Sequence, residues 1–469
     1  MRRALALVLL AAAACSSGQT AAPPLPTFTA SPSPSASPSA ATPSPSPTLT
    51  RPASSPAAVP SCTSYRAPDP QRPVLTADVT VSGRKVSGTE RVVFTPDRPV
   101  TQLVFRLWAS APVPARSGST SAVTAVQVNG AAHRFDRPSP TVVRIPWTGA
   151  AGTPVTIDLA FAITLPVGAD ERWGNRGTTS WFASAMPLLA WERGRGWAVE
   201  PPTTQFAEAS TSEEMQLARL TVHHARGLTV LATGRTVSSD ATTLVTSAPT
   251  VRDVSVAVGA FTIARAQGPV PVVVGVAPGL PDSARSLAAK AVASMRDHVA
   301  RFGPFPYEQV VIAVLPDIRG GIEYPAAILL GTGQDKDATL SHELGHEWFY
   351  GLVGNDQARD PWIDEAFATY AEALDRGTSA RYTGAVFPLR IKGKTGQPMS
   401  WWEGRKGYFQ GVYVQGARAL LRARATNPRL FDAQLRCYVA RNAHRIATPA
   451  DVARDLPLAV TELRRAGAL

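Results

Sequence analysis

The residues with the clearest chemical potential are His342-Glu343-Leu344-Gly345-His346. Residues four apart on a helix share a face, so both imidazoles can reach one divalent cation. Glu343 is one step round that helix, close enough to take a proton from an attacking water without ligating the metal. Two imidazoles leave such a site unfinished, because a catalytic zinc needs a third protein ligand and an open position. Alone, the five residues could equally be two core histidines and a surface carboxylate. Glu365 removes that reading. It follows His346 by nineteen positions, inside Pro361-Trp362-Ile363-Asp364-Glu365-Ala366-Phe367-Ala368-Thr369-Tyr370. Pro361 can start a helix and the stretch from Gly351 to Asp360 can turn the chain back, so Glu365 is expected to face the histidines from an antiparallel helix. One Zn2+ per chain, held by His342, His346 and Glu365, is the expectation.

HExxH, eighteen intervening residues and Glu, flanked by Trp-x-x-Glu-x-Phe-Ala, resembles the M1 aminopeptidases, gluzincins with a thermolysin-like catalytic domain. Further segments extend the resemblance over about residues 70–425. Gly320-Gly321-Ile322-Glu323-Tyr324 is similar to the family's GxMEN strand. The resemblance implies that Glu323 binds the substrate's α-amino group and that the backbone of Gly320 and Gly321 pairs with the peptide. Tyr413-Val414-Gln415-Gly416-Ala417 resembles the family's Tyr-x-x-Gly-Ala segment, which makes Tyr413 the phenol that stabilises the tetrahedral intermediate. Phe105-Arg106-Leu107-Trp108 resembles part of the family's N-terminal domain. The implied activity is zinc-dependent peptide hydrolysis with removal of N-terminal residues. The departures are Ile322 and Tyr324, where the family has Met and Asn. A second amine-binding residue also has no clear match beyond Glu200 or Glu208. The chain ends at Leu469, so the large C-terminal helical domain of longer relatives is expected to be absent and the cleft more open. An open-cleft endopeptidase, or a non-catalytic surface lipoprotein binding peptides or wall components, are the alternatives.

Elements must hold these residues in place. Residues 266–425 predict an α+β catalytic domain. Its strands are read over Val270–Val276, Gln309–Leu315 and Gly320–Leu330, and its helices over Asp282–Phe302, Ala338–Val353, Trp362–Asp375 and Val412–Ala425. Residues 426–469 predict a short helical tail, with helices at Pro428–Asn442 and Pro449–Asp455. Before them, residues 65–265 alternate apolar and polar side chains in short runs separated by turn signals, Asn129-Gly130 among them. That pattern predicts an all-β N-terminal domain.

The N-terminus sets an expected compartment. Met1-Arg2-Arg3, an uncharged apolar run from Ala4 to Ala14 and then Cys15 resemble a bacterial lipoprotein signal, with Cys15 lipidated. The expected location is the outer face of the cytoplasmic membrane, or the extracellular space if cleavage leaves no lipid. Residues 16–64 are rich in Pro, Ser and Thr and predict a disordered tether. Lipidation would leave Cys62 and Cys437, an expected disulfide in an oxidising compartment. The net charge is +12, but the arginines are scattered and no nucleic-acid-binding module is present. Peptides and a membrane, not nucleic acid, are therefore the expected partners. His133, His223, His224, His298 and His444 lack ligand spacing and are read as packing or surface residues.

Overall fold

The computed structural model describes residues 59–170, 172–202, 213–333 and 335–469; the expected leader, Cys15 and most of the tether lie outside them. The first half is built on an eight-stranded sheet. In Val74–Ser82 the side chains of Leu75, Ala77, Val79 and Val81 point inward and their neighbours outward. Lys85–Phe94 folds back on this strand in antiparallel register and pairs in turn with Val155–Thr164. Met215–His223 joins Val74–Ser82 in parallel. Asn129 and Gly130, at φ 52° and 81°, make the tight turn that returns Thr120–Val128 to Ala131–Ala132. A four-stranded and a five-stranded sheet close over the same core, where Phe94, Phe105, Trp173, Leu217 and Val256 are buried. Each such large side chain contributes about 1.5–3 kcal/mol.

A second five-stranded sheet follows, in the order Thr262–Gln267, Pro271–Val276, Val310–Val314, Ala327–Leu330, Gly321–Tyr324. Its three central strands are parallel and both edges antiparallel. Val310–Val314 is buried on both faces, which explains its unbroken apolar run. On one face Leu287, Ala291 and Met295 of the Ala284–Phe302 helix cover Val272, Val274 and Ile312. On the other, Val311, Ala313 and Leu315 meet Trp181 and Leu231 of the β-rich half. The sheet that carries Glu323 is thereby clamped from both sides.

Four expectations need correction. The strand Thr262–Gln267 belongs to this second sheet, so a boundary at 265 would cut through it. Gly320–Leu330 is not one strand but a hairpin, turned at Ala326, whose φ is 61°. The His-bearing helix begins at Lys336, capped by Asp335 Oδ1 accepting from Ala338 N (3.2 Å), and stops at Gly345 instead of running to Val353. Residues 346–353 turn tightly, with Phe349 and Val353 bridged and Val353–Gly354 paired to Arg445–Ile446. The expected helix over Val412–Ala425 opens with a wider turn at Gln410–Val414 and becomes regular over Gln415–Thr426.

The helices share a core of Trp348, Trp362, Phe367, Leu420, Phe431 and Tyr438. Cys62 and Cys437 are joined by a disulfide with Cα atoms 5.1 Å apart. Nearby, Tyr65 accepts a hydrogen bond from Trp348 Nε1 (3.0 Å) and donates to the Pro304 carbonyl (2.6 Å). The start of the folded chain is thus fastened beneath the helices.

Candidate metal centre

Two close helix contacts assemble the centre. Gly345 faces Ala368 and Ala371 of the Trp362–Asp375 helix, and a Cβ on Gly345 would stand 3.3 Å from Ala368 Cα and from Ala371 Cβ. Small residues on both sides let the helices approach and carry Glu365 to the histidines. Gly416 does the same for the next helix, since a Cβ there would lie 2.4 Å from Ala366 Cβ. That approach brings Tyr413 against Glu365.

The Nε2 atoms of His342 and His346 are 3.1 Å apart, and Glu365 Oε2 lies 3.2 and 3.3 Å from them. A tetrahedron with bonds of about 2.05 Å has edges of about 3.3 Å, so this triangle fits one face of a zinc coordination shell. His346 Nδ1 lies 3.0 Å from the Phe349 carbonyl. An N–H there donates to that oxygen and leaves the Nε2 lone pair turned to the centre. Two imidazoles and one carboxylate are a zinc donor set, and the residues present fit the ion. Beneath them the buried His298 places Nε2 2.8 Å from the Ser341 carbonyl, bracing the helix just before His342.

Burial raises the Glu365 carboxyl, but His346 and His342 outweigh it and hold it below the ordinary range. Glu343 is also buried, and one of its oxygens has no hydrogen-bond partner among the described residues. Burial pushes its pKa up to about 7 against the pull of the two imidazoles. Burial thus makes Glu343 a better proton acceptor than an exposed carboxylate. Its neighbour Glu347 is pushed up to about 8 by burial and accepts from Ala326 N (3.0 Å), tying the hairpin turn to the turn that follows the metal helix.

A cavity of about 670 Å³ opens over the centre, lined by Gly320, Gly321, Glu323, Tyr408, Phe409 and Tyr413 among others. Gly321–Tyr324 is an edge strand, so its outer backbone groups can pair with an extended peptide. Gly321 faces Glu343 so closely that a Cβ would fall 2.4 Å from Glu343 Cγ, whereas a Cβ on Gly320 would meet nothing within 4 Å. The Tyr413 ring stacks 5.7 Å from the His342 ring, and its hydroxyl donates to Glu365 Oε1. Carboxylate oxygens of Glu323 and Glu343 and a nitrogen of His346 all lie within 4.8 Å of one another.

Gln357, which the sequence reading passed over, donates to Glu323 Oε1 (2.8 Å) and Asp364 Oδ2 (3.0 Å). Burial, then the charge of Glu365, push the Asp364 carboxyl well above its usual range. Tyr324 meets Ser184 Oγ (3.0 Å), which donates to Asp253 (2.5 Å), so the residue in the family's Asn position ties the edge strand to the β-rich half. Glu200 pairs with Arg359 (2.9 Å) and is not among the cavity-lining residues; Glu208 lies outside the described residues. Trp402 is buried and donates to the Gln397 carbonyl. His444 pairs with Glu214 (2.5 Å), far in sequence from the ligands.

No family model matches the chain. Two curated relatives match short segments. Aminopeptidase N of Streptomyces lividans is 56% identical over 36 residues, 8% of this chain and 4% of its own length. Endoplasmic reticulum aminopeptidase 1 of Rattus norvegicus is 31% identical over 84 residues, 15% and 9% respectively. The matches thus span under a tenth of either relative. Solved structures extend much further. The M1 zinc metallopeptidase of Deinococcus radiodurans superposes with a TM-score of 0.62 at 20% identity, covering 87% of this chain and 96% of that one. A variant of it bound to a Tyr-Ser-Ala substrate gives 0.64 at 19% identity, covering 85% and 95%.

Proposed function

Taking the fold as that of the M1 zinc metallopeptidases, we propose that this chain hydrolyses peptide bonds with one bound Zn2+ and removes residues from the N-termini of peptides. The observation that carries the reading is the triangle of His342, His346 and Glu365 with the unpartnered carboxylate oxygen of Glu343 beside it. Held there, Zn2+ would polarise the scissile carbonyl and acidify the attacking water. Glu343 takes the proton from that water and returns it to the leaving amine. The Tyr413 hydroxyl donates to the oxygen on which negative charge develops. Glu323, oriented by Gln357, receives the substrate ammonium, and the backbone of Gly320 and Gly321 aligns the peptide along the edge strand. The Tyr-Ser-Ala bound to the Deinococcus variant supports peptides as the substrate class. The leader and Cys15 support a location outside the cytoplasmic membrane with a lipid anchor.

Elemental analysis should find one zinc per chain, and the protein should cleave aminoacyl-coumarins but not their N-acylated forms. Glu343→Gln should keep the zinc and lose nearly all turnover. Efficient cleavage of blocked peptides would replace the aminopeptidase reading with the endopeptidase one, and a metal-free, inactive protein would end both.

A further inference from the structure

The stretch 381–411 carries six arginines and lysines against one acidic residue, Glu403. All six, Arg381, Arg390, Lys392, Lys394, Arg405 and Lys406, are exposed. Among the described residues none of them enters an ion pair; Arg405 instead donates to the Trp401 carbonyl and lies over the Trp401 ring. The same stretch displays Val386 and Leu389, 91% and 88% exposed, the most exposed large apolar side chains among the described residues, with Phe409 at 55%. Its two limbs lie side by side, because Gly407 rests on Ile391 so closely that a Cβ would stand 3.0 Å from Ile391 Cγ2. Arg381 and Phe409 also line the cavity, so this surface forms one lip of the cleft.

A polyanion would satisfy the cations but leave Val386 and Leu389 in water. An anionic bilayer satisfies both, with headgroup phosphates for the basic side chains and an acyl boundary for the apolar ones. We infer that the 381–411 lip docks on an anionic phospholipid surface, with Val386 and Leu389 entering the headgroup–acyl boundary. The inference stands apart from the peptidase reading, since it concerns where the cleft is held and not what it cleaves. It gives the scattered positive charge of the chain a local use.

The test is co-sedimentation of the full chain, carrying Cys15→Ser so that no lipid is attached, with vesicles of phosphatidylglycerol and phosphatidylcholine or of phosphatidylcholine alone. The leader is common to every variant, so only differences between variants are read. The parent should bind the anionic vesicles more strongly than the neutral ones. Arg390→Glu, Lys392→Glu and Lys406→Glu together should weaken that binding on the order of a hundredfold. Val386→Ser with Leu389→Ser should weaken it about tenfold. Unchanged thermal melting shows that each variant is folded, whatever the protein's activity. Equal binding by the charge variant and the parent overturns the inference. So does binding that ignores the apolar pair, which would mark a surface for soluble polyanions.

Discussion

The Tyr413 phenol oxygen lies 2.5 Å from Oε1 of Glu365, while Oε2 of the same carboxylate faces both imidazoles. One side chain thereby fixes the position of the hydroxyl relative to the metal donors. Tyr413→Phe should leave zinc content unchanged and lower kcat by about a hundredfold to a thousandfold with little change in KM, as expected for a donor whose contact strengthens in the transition state. Steady-state kinetics with metal analysis checks it; a loss confined to KM would make Tyr413 a ground-state binding residue.

Gly321 and Gly320 are adjacent yet should respond differently. A methyl on Gly321 overlaps Glu343, whereas a methyl on Gly320 meets open space. Gly321→Ala must displace either the base or the edge strand, and a misplacement of about 1 Å costs on the order of a hundredfold in rate. Gly320→Ala should retain most turnover on a small aminoacyl substrate. Equal losses at the two positions would show that the backbone glycines act through the substrate and not through Glu343.

The helix contact at Gly345 makes a further prediction. Its position against Ala368 and Ala371 has no room for a branched side chain. Gly345→Val should force the two helices apart and destabilise the fold by about 1–3 kcal/mol. It should also weaken zinc binding, because Glu365 rides on the displaced helix. Thermal melting of the metal-free and zinc-loaded protein separates the two effects; a lowered melting temperature with unaltered zinc affinity would mean that the ligands adjust independently of the packing.

What the sequence made legible follows from what kind of contact each feature depends on. His342 and His346 were readable because helical spacing alone puts them on one face, and the Trp362–Asp375 helix is bounded as the Pro361 signal suggests. Gln357 was not readable, because its value comes from Glu323 and Asp364 meeting it across a turn with no periodicity. The hairpin within 320–330 was hidden because the residue at positive φ is Ala326, not glycine. The metal helix was drawn too long because Trp348, Phe349, Leu352 and Val353 are all buried, in a turn as they would be in a helix. The Gly345 and Gly416 approaches look like ordinary small residues until the partner helix is in place.

Zinc retention should depend steeply on pH, with a direction fixed by the imidazoles. Burial lowers the pKa of His342, but the carboxylate of Glu365 and the charge of Glu343 raise it further than burial lowers it. His346 is likewise raised well above the usual histidine value against burial, by Glu323, Glu365 and Glu343. In the metal-free protein both rings therefore hold protons at a higher pH than free histidine does. Zinc must displace those protons to bind, so its affinity falls as pH drops, and the fall begins above the ordinary histidine pKa of about 6.5. With two rings protonated, the apparent affinity should drop by up to about a hundredfold per pH unit. Competition with a chelating dye across the neutral and mildly acidic range reads the slope directly. Near-constant affinity down to the carboxylate range would mean that the ion is not held by these two histidines.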